Sequence, residues 1–194
     1  MIAVVTGGSG SGKSEIAENL ALNLEPGKKL YLATMMIWDE EGMARVRRHR
    51  QMREGKRFET EEVFFDLEDF SLPEDFQRGE ATVLLECMSN LVCNEFYRKE
   101  EEVVERLMRG IDHLSSQCRN LIAVTNEISS DGWFYGDETE RYRKILGEVN
   151  CFLASRAELV IEAVYGIPVV LKGVLKPILI QGKEKIDGRE QKTA

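Results

Sequence analysis

The sequence lacks a long apolar run and an excess of positive charge, and each absence excludes a class of protein. No stretch approaches the roughly 18 consecutive apolar residues of a membrane-spanning helix, and the N-terminus has no basic region followed by a long apolar segment. The formal net charge of −8 argues against a general nucleic-acid coat or an anionic membrane surface as partner. We therefore expect a cytoplasmic protein with no nucleic-acid partner and no stable membrane span.

Cysteine is scarce as well. The four cysteines, at positions 87, 93, 118 and 151, form no Cys-x-x-Cys pair, and no histidine lies at a zinc-ligand spacing from them. The pattern therefore indicates neither a structural metal nor a redox motif, and it favours reduced thiols that are mostly buried.

The sequence also has no internal repeat and no low-complexity linker. Its 194 residues, 43% hydrophobic and 31% charged, are typical of one globular domain. We expect this domain to cover residues 1–172, and we expect the residues at 173–194 to form a C-terminal extension that ends in a loosely ordered polar tail.

What the sequence does contain is a complete phosphate-binding loop at 7–14. The segment Gly-Gly-Ser-Gly-Ser-Gly-Lys-Ser follows the apolar run 2–5 and precedes a helical pattern that starts near Glu15. Its glycines let the backbone turn around a phosphate, Lys13 adds positive charge on the outer phosphates, and the Ser14 hydroxyl can ligate Mg²⁺. The following helix directs its positive end at the same anion. The predicted contacts to a nucleoside triphosphate are Gly7, Gly8, Ser9, Gly10, Ser11, Gly12, Lys13 and Ser14.

Short apolar runs alternate with helical patterns along the chain. The runs are rich in Val, Ile and Leu, and they lie at 2–5, 29–33, 82–85, 121–124, 159–164 and 168–171. Helical spacing follows the loop and recurs at 103–114 and 142–153. This order predicts an α/β fold with a mostly parallel sheet, helices on both faces, and ligands at the carboxyl ends of the strands. The connection 165–168 is too short for a crossover helix, so the last two strands should be an antiparallel pair at one edge.

A carboxylate ends the buried run 82–85. Enzymes with a phosphate loop place an acid here to hold Mg²⁺ or its water, so Glu86 is the second predicted metal ligand beside Ser14. The alternative is an ordinary acidic residue that opens a loop, because Asp is the more usual choice. Asp66, which follows the apolar run 63–65, is a weaker candidate for the same role.

The densest basic segment, 45–57, carries seven of the 26 Lys and Arg residues. On a helix, Arg45, His49 and Arg53 would share one face because they are four residues apart. Flanking guanidinium groups favour the neutral imidazole, which is the form that attacks phosphorus, and they would also neutralise nucleotide phosphates. The alternative is a solvated basic helix face paired with neighbouring acids. His113, the only other histidine, is expected at the surface.

Two further segments lie at or after strand ends. Thr125, Asn126 and Glu127 end the run 121–124, where a contact with phosphate or substrate and simple capping both fit the pattern. The aromatic residues at 133–135 follow in a loop that contains Gly and Asp. They are interpreted either as an apolar wall over a bulky ligand or, as we favour, as side chains folded back on the core.

The ordered set of motifs is more specific than the phosphate loop alone. It comprises residues 6–14 with 17–18, then 31–34, 45–53, 84–87, 125–127 and 166–168. This set resembles the bifunctional adenosylcobinamide kinase/adenosylcobinamide-phosphate guanylyltransferase family of cobalamin biosynthesis. The resemblance extends over almost the whole chain, from Val4 to about Lys172.

The resemblance implies a fold, an assembly and further site residues. It implies a RecA-like P-loop NTPase fold and a homotrimer, and it places the covalently guanylylated histidine at His49. A second nucleotide contact falls on Ala33, Thr34 and Met35. The remaining implied nucleotide contacts are Arg50, Gln51, Met52, Arg53, Glu62 and Glu86.

Two reactions are implied, with a corrinoid and a nucleoside triphosphate as partners and Mg²⁺ as cofactor. First, ATP or GTP gives its γ-phosphoryl group to the aminopropanol hydroxyl of adenosylcobinamide. Next, His49 attacks the α-phosphorus of GTP, pyrophosphate leaves, and GMP passes from the imidazole to adenosylcobinamide phosphate, which gives adenosylcobinamide-GDP. The loop and Glu86 alone also fit a small-molecule P-loop kinase without guanylyltransferase activity, or a non-enzymatic nucleotide-binding regulatory ATPase.

Overall fold

A computed structural model describes residues 1–24, 27–37, 39–76 and 79–175. The side chains of Glu41, Arg45, His49 and Met52 lie outside the described part, although their backbones belong to a helix. Of the extension predicted at 173–194, residues 176–194 lie outside the described residues.

Strands and helices alternate along the described chain. The strands are β1 (Ile2–Thr6), β2 (Lys29–Ala33), β3 (Phe58–Glu62), β4 (Thr82–Glu86), β5 (Asn120–Val124), β6 (Leu159–Val164) and β7 (Ile167–Lys172). The helices are α1 (Lys13–Asn23), α2 (Glu40–Arg53), α3 (Met88–Arg98), α4 (Val103–Gln117) and α5 (Asp137–Arg156), with a 3-10 turn at Glu74–Phe76.

All seven of these strands form one sheet in the order β3-β2-β4-β5-β1-β6-β7. Neighbouring strands from β3 to β6 run parallel, whereas β6 and β7 are antiparallel. The mostly parallel sheet with an antiparallel edge pair is therefore confirmed. Only Tyr165 and Gly166 connect β6 to β7, and both have positive φ values, 52° and 78°, as a tight hairpin turn requires.

Helices cover both faces of the sheet, which explains the continuous apolar runs. In β1, Val4 points into a core shared with α3, α4 and α5, while Ala3 and Val5 point into a second core shared with α1. A strand that is buried on both faces has no polar side to alternate with.

The sequence patterns missed two elements, β3 and α3. β3 has the sequence Phe-Glu-Thr-Glu-Glu and lies at the sheet edge, where four of its five residues are exposed, so it carries no apolar run. α3 did carry a signal, because its buried residues Met88, Leu91, Val92 and Phe96 recur at helical spacing. Because α3 begins two residues after β4 ends, the sequence pattern does not separate the apolar residues of the helix from those of the strand.

One expectation about burial was wrong, and another failed for one of four cysteines. The cysteines are free, and Cys87, Cys93 and Cys118 are partly buried, whereas Cys151 is exposed. Cys151 lies on the outer side of α5, whose inner side buries Val149 and Leu153. The aromatic residues at 133–135 are exposed by 69%, 66% and 55% instead of folding back on the core. Arg143 holds the loop backbone by donating to two of its carbonyl groups, and this leaves the aromatic rings outside.

One surface expectation agrees with the structure. His113 is exposed on α4. Within the described ranges, no helix combines the length and the apolar character needed to cross a bilayer.

Candidate active site

A cavity of about 870 Å³ opens at the carboxyl ends of the parallel strands. Its wall is formed by the phosphate loop and the start of α1, the ends of β2, β3 and β4, and the inner side of α2. The predicted site residues that line it are Ser9, Gly10, Ser11, Gly12, Lys13, Ser14, Ala33, Met35, Arg50, Arg53, Glu62 and Glu86. Segments far apart in the sequence, from Ser9 to Asn126, thus meet at the carboxyl edge of the sheet, as the fold class requires.

The phosphate loop packs closely against the β6–β7 hairpin. A Cβ atom on Gly7 would lie 2.7 Å from the carbonyl oxygen of Ala163, and one on Gly12, at φ +90°, would lie 3.0 Å from Cα of Gly166. Gly166 also donates a backbone hydrogen bond of 2.8 Å to the carbonyl of Ser11. These glycines are needed for this close approach. Because Gly12 caps α1 without a side chain, the first N–H groups of the helix are left for an anion.

Lys13 lies at the start of α1, beside the loop that it is predicted to assist. Its Nζ donates to the carbonyl of Gly8 at 3.0 Å. Burial lowers the pKa of Lys13, and the charges of Cys87 and Glu86 oppose this shift. The ammonium group is therefore placed on the loop, within reach of any anion that the loop binds.

Glu86 ends β4 and is 7% exposed. The Ser14 hydroxyl donates a hydrogen bond to its carboxylate, so the two predicted metal ligands are in direct contact. Burial raises the pKa of Glu86, and the hydrogen bond from Ser14 together with the charges of Arg53 and Lys13 opposes that rise. The rival candidate, Asp66, does not line this cavity, because its carboxylate accepts a hydrogen bond of 2.6 Å from Arg98.

The basic segment forms α2. One part of this helix is a solvated basic face, and another part brings positive charge to the cavity. Arg47 is exposed and lies outside the cavity wall, as a solvated face would, whereas Arg48 and Arg50 are exposed but line the cavity, and Arg50 pairs with Glu62 at 3.4 Å. Arg53 is instead 8% exposed, and its guanidinium lies 3.4 Å from the ring centroid of Tyr31. The last turn of α2 therefore brings a buried cation to the cavity.

The cavity wall contains one buried polar atom from the phosphate loop and one from α2. Ser11 Oγ from the loop and Arg53 Nη1 from α2 have no hydrogen-bond partner among the described atoms. Buried polar groups in folded proteins are generally satisfied, by protein, water or ligand. A ligand with several acceptor oxygens would satisfy both groups.

Some predicted site residues have other surroundings. Thr34 is buried, and its hydroxyl accepts from the N–H of Cys87 at 2.7 Å and donates to the carbonyl of Cys87 at 2.8 Å. It thereby joins the ends of β2 and β4. Gln51 is exposed outside this wall and lines a smaller adjacent cavity of about 340 Å³. The side chains of His49 and Met52 lie outside the described part.

The segment after β5 reaches the cavity and also caps a turn. Asn126 lines the cavity and donates a hydrogen bond of 2.6 Å to the hydroxyl of Ser89. Glu127 caps a turn, because its carboxylate accepts from the backbone of Ser129 at 2.7 Å and from the Ser130 hydroxyl. These hydrogen bonds, chiefly the one from Ser130, lower the pKa of Glu127.

Sequence reasoning assigned no role to Tyr31. Its ring lines the cavity between Arg53 and the β4 end, and burial raises its pKa well above the usual range. A signal existed, because Tyr31 is the one aromatic residue in the Lys-Leu-Tyr-Leu-Ala run of β2.

The fold is similar to that of a solved structure of low sequence identity. The flagellar accessory protein FlaH from Methanocaldococcus jannaschii matches with a TM-score of 0.50 and 12% identity, over 89% of this chain and 78% of that one. Together with the loop and the strand order, this likeness identifies a RecA-like P-loop NTPase fold.

Sequence comparison identifies a narrower group. The sequence model of the cobinamide kinase/cobinamide phosphate guanyltransferase family, CobU, matches residues 3–171. The bifunctional adenosylcobalamin biosynthesis proteins CobU of Escherichia coli K12 and of Salmonella typhimurium LT2 are each 32% identical over 186 residues, which cover 89% of this chain and all of each relative. CobP of Pseudomonas aeruginosa PAO1 is 30% identical, over 88% of this chain and 96% of the relative. The chain therefore belongs to the cobinamide kinase/cobinamide phosphate guanyltransferase family.

Proposed function

We propose that this protein catalyses two successive steps in assembly of the cobalamin nucleotide loop. It phosphorylates adenosylcobinamide with ATP or GTP, and it then transfers GMP from GTP to the phosphorylated product through His49. Family membership supports both activities. The observation that carries the proposal is that the phosphate loop and the last turn of α2 line one cavity, with unpartnered polar atoms on both sides.

The first step needs a cationic cradle for the phosphates rather than covalent chemistry by the protein. The backbone N–H groups at the start of α1 and the Lys13 ammonium supply positive charge at the loop. The hydroxyl of Ser14 and the carboxylate of Glu86 would hold Mg²⁺, since adjacent hard oxygen ligands on the phosphate side suit this ion. When bound, Mg²⁺ would neutralise charge on the β- and γ-phosphates. Within the described part, no cluster of three His, Cys, Asp or Glu residues offers an all-protein metal cage, which agrees with an ion held partly by substrate.

The second step requires a nucleophile at the α-phosphorus. The His49 imidazole would form a P–N bond as the bond to pyrophosphate breaks, and a phosphate oxygen of adenosylcobinamide phosphate would then displace the imidazole. Splitting one transfer into two lowers each barrier and predicts ping-pong kinetics. His49 lies one turn before Arg53 in α2, and Arg53 brings positive charge to the cavity.

We propose nucleotide contacts for the remaining predicted residues along α2 and the ends of the strands. For the guanylyl transfer, Arg50 and Arg53 would neutralise charge on the phosphates of GTP. Ala33, Met35 and Glu62 line the cavity and would contact the nucleoside. For Thr34, Gln51 and Met52 the proposal rests on the family resemblance.

We also propose that the protein is a cytoplasmic homotrimer. The edge strand β7 exposes several large apolar side chains, and a free strand edge with apolar residues is suited to association. These side chains, with the two that flank the strand, are Tyr165, Ile167, Val169, Val170, Leu171 and Val174. Four free cysteines suit a reducing compartment. Light scattering during size-exclusion chromatography tests the assembly: a trimer mass is expected, and a monomer mass at micromolar concentration contradicts it.

The experiment that tests the chemistry uses GTP labelled at the α-phosphate. After incubation and denaturation, protein-bound label that is acid-labile and base-stable is expected, as for a phosphoramidate on histidine. His49→Ala should remove the label while corrinoid phosphorylation remains measurable. An active preparation that phosphorylates adenosylcobinamide without labelling would show a kinase alone, and nucleotide hydrolysis without a phosphorylated corrinoid would indicate a regulatory ATPase.

A further inference from the structure

Helix α2, which carries His49, has little apolar surface with which to pack. Among its described side chains only Arg53 is buried, whereas most of the others are exposed. Helices in proteins are usually held by an apolar face against the core. The position of α2 must therefore depend on a few specific contacts near its C-terminal end.

The first of these contacts is an ion pair between α1 and the turn after α2. Glu18, four residues after Ser14 in α1, is 0% exposed, and Lys56 Nζ is within hydrogen-bonding distance of its Oε2. The other carboxylate oxygen, Oε1, has no hydrogen-bond partner among the described atoms. The backbone N–H of Lys56 in turn donates to the carbonyl of Arg53 at 3.0 Å, so the lysine is tied to the end of the helix.

The second contact is the stack of Arg53 on the ring of Tyr31 in β2. It holds the helix end against the sheet, whereas the ion pair holds it against the helix of the phosphate loop. Two attachments in different directions restrict both the distance and the tilt of α2. Arg53 itself belongs to the cavity wall, so Glu18 and Lys56 are the members of this arrangement that lie outside the wall.

We infer that Glu18 and Lys56 are positioning residues for the guanylyl transfer. Their ion pair fixes the end of α2 to the phosphate-loop helix and thereby sets where His49 stands relative to the α-phosphate. This inference rests on the proposed function. His49 precedes Arg53 by four residues, about 6 Å along the helix axis, so a small rotation at the anchored end displaces the nucleophile. A misplacement of about 1 Å can slow a reaction by a factor of about 10².

The kinase step should not depend on this ion pair. The phosphate loop is held by its contacts with the β6–β7 hairpin, and α1 by the burial of Ile16, Ala17 and Leu20. Neither set of contacts involves α2. Loss of the ion pair should therefore separate the two activities, whereas a general folding defect would lower both together.

The test compares Glu18→Gln, Lys56→Met and the double variant with Glu95→Gln. Glu95 is a matched control because it is also buried and ion-paired, with Arg106 at 3.0 Å, but it lies between α3 and α4. For each protein, the initial rate of labelling by α-labelled GTP and the rate of corrinoid phosphorylation are measured. We expect Glu18→Gln and Lys56→Met to label about 10- to 100-fold more slowly with an unchanged kinase rate. The double variant should be no slower than either single variant, since each removes the same interaction.

A second readout is independent of activity. The exposed arginines of α2 are trypsin sites, and cleavage within a helix requires local opening. Glu18→Gln should be cut in α2 faster than the wild-type protein, whereas Glu95→Gln should not be.

The outcomes separate this inference from the proposed function. If the wild-type protein is labelled and Glu18→Gln is labelled equally fast, the inference is wrong and the proposed function stands. Equal losses of labelling and kinase activity, matched by Glu95→Gln, would also overturn it. A wild-type protein that is never labelled overturns both, and the trypsin result then reports only whether the ion pair anchors α2.

Discussion

The two helices that flank the cavity, α1 and α2, are held in different ways. α1 buries Ile16, Ala17, Leu20 and Ala21 in a core shared with the central strands. α2 buries only Arg53 among its described side chains and is attached chiefly through polar contacts at its end. The first helix is part of the hydrophobic core, whereas the second lies on the rim of the site.

The two sides of the site therefore differ in how firmly they are held. The phosphate half of the site is built into the core of the fold and is rigid by packing. The half that carries His49 is attached by a few directional contacts and buries little apolar surface, and such elements are typically the ones that open locally. The two reactions occur at different phosphorus atoms. A rigid phosphate loop with α1, here called the fixed side, and a movable α2, the adjustable side, suit such a site.

The largest expected effect concerns the fixed side. Lys13→Ala should lower the kinase rate by about 10²- to 10³-fold, because removing one preorganised donor from a site of developing negative charge has this magnitude. Steady-state assays with ATP and GTP measure it. Lys29→Met is the control, since Lys29 Nζ donates to the Gly27 carbonyl outside the cavity wall. Wild-type rates in Lys13→Ala would show that the end of α1 is not the phosphate site.

The next effect tests the packing difference directly. Leu20→Ala removes a fully buried side chain of α1 and should lower the free energy of unfolding by about 2–5 kcal/mol. Arg47→Ala in α2 should change it by no more than about 0.5 kcal/mol, because Arg47 is exposed. Urea denaturation at equilibrium measures both values. Comparable losses would mean that α2 belongs to the cooperative core.

A third prediction uses the buried carboxylate between the two helices. Burial raises the pKa of Glu86 above its usual value of 4.5, so the folded protein binds this proton more tightly than the unfolded chain does. Stability should therefore fall as the pH rises from about 4.5 through the raised pKa. Glutamine cannot ionise, so Glu86→Gln should be more stable than the wild-type protein at neutral pH. The variant should be inactive, because Glu86 is a proposed Mg²⁺ ligand.

Thermal unfolding as a function of pH tests this prediction. The stability advantage of Glu86→Gln should shrink as the pH falls towards 4.5. An advantage that is the same at every pH would contradict the assignment of the proton to Glu86.

The smallest expected effect lies on the adjustable side. Glu62 pairs with Arg50 at 3.4 Å, with side chains that are 53% and 62% exposed. Glu62→Gln should therefore change the free energy of unfolding by less than about 1 kcal/mol. Calorimetric titration with GTP should nevertheless show weaker binding, because Glu62 lines the cavity. A large loss of stability with unchanged binding would make this a structural contact of α2.

Much of the architecture could be predicted from local patterns, and the misses have a common cause. Six strands were recognisable from their apolar runs: five of them are buried on both faces, whereas the run of β7 is largely exposed. β3 was not, because an edge strand is identified by the neighbour to which it hydrogen-bonds rather than by its own side chains. The outward orientation of Trp133 was missed for the same reason, since it depends on a contact between its backbone and Arg143 in α5.

The candidate site shows the same limit. The loop at 7–14 and Glu86 could be predicted as site residues because each belongs to a short, contiguous sequence motif. Tyr31 and Glu18 were assigned no role, because their partners, Arg53 and Lys56, are 22 and 38 positions away in the sequence. The nucleotide contact of Thr34 stays a prediction, and its hydrogen bonds between two strand ends were not foreseen because Cys87 is 53 positions away in the sequence.

The class of fold, the phosphate loop and the family of the chain could be predicted from the amino-acid sequence, because these depend on periodicity and on residues close together in the chain. Which residues share a cavity, which arginine of α2 is buried and how α2 is held became known from the folded structure. Those features depend on contacts between elements that are far apart in the sequence. The parallel sheet brings these elements together, so no local sequence pattern predicts the contacts.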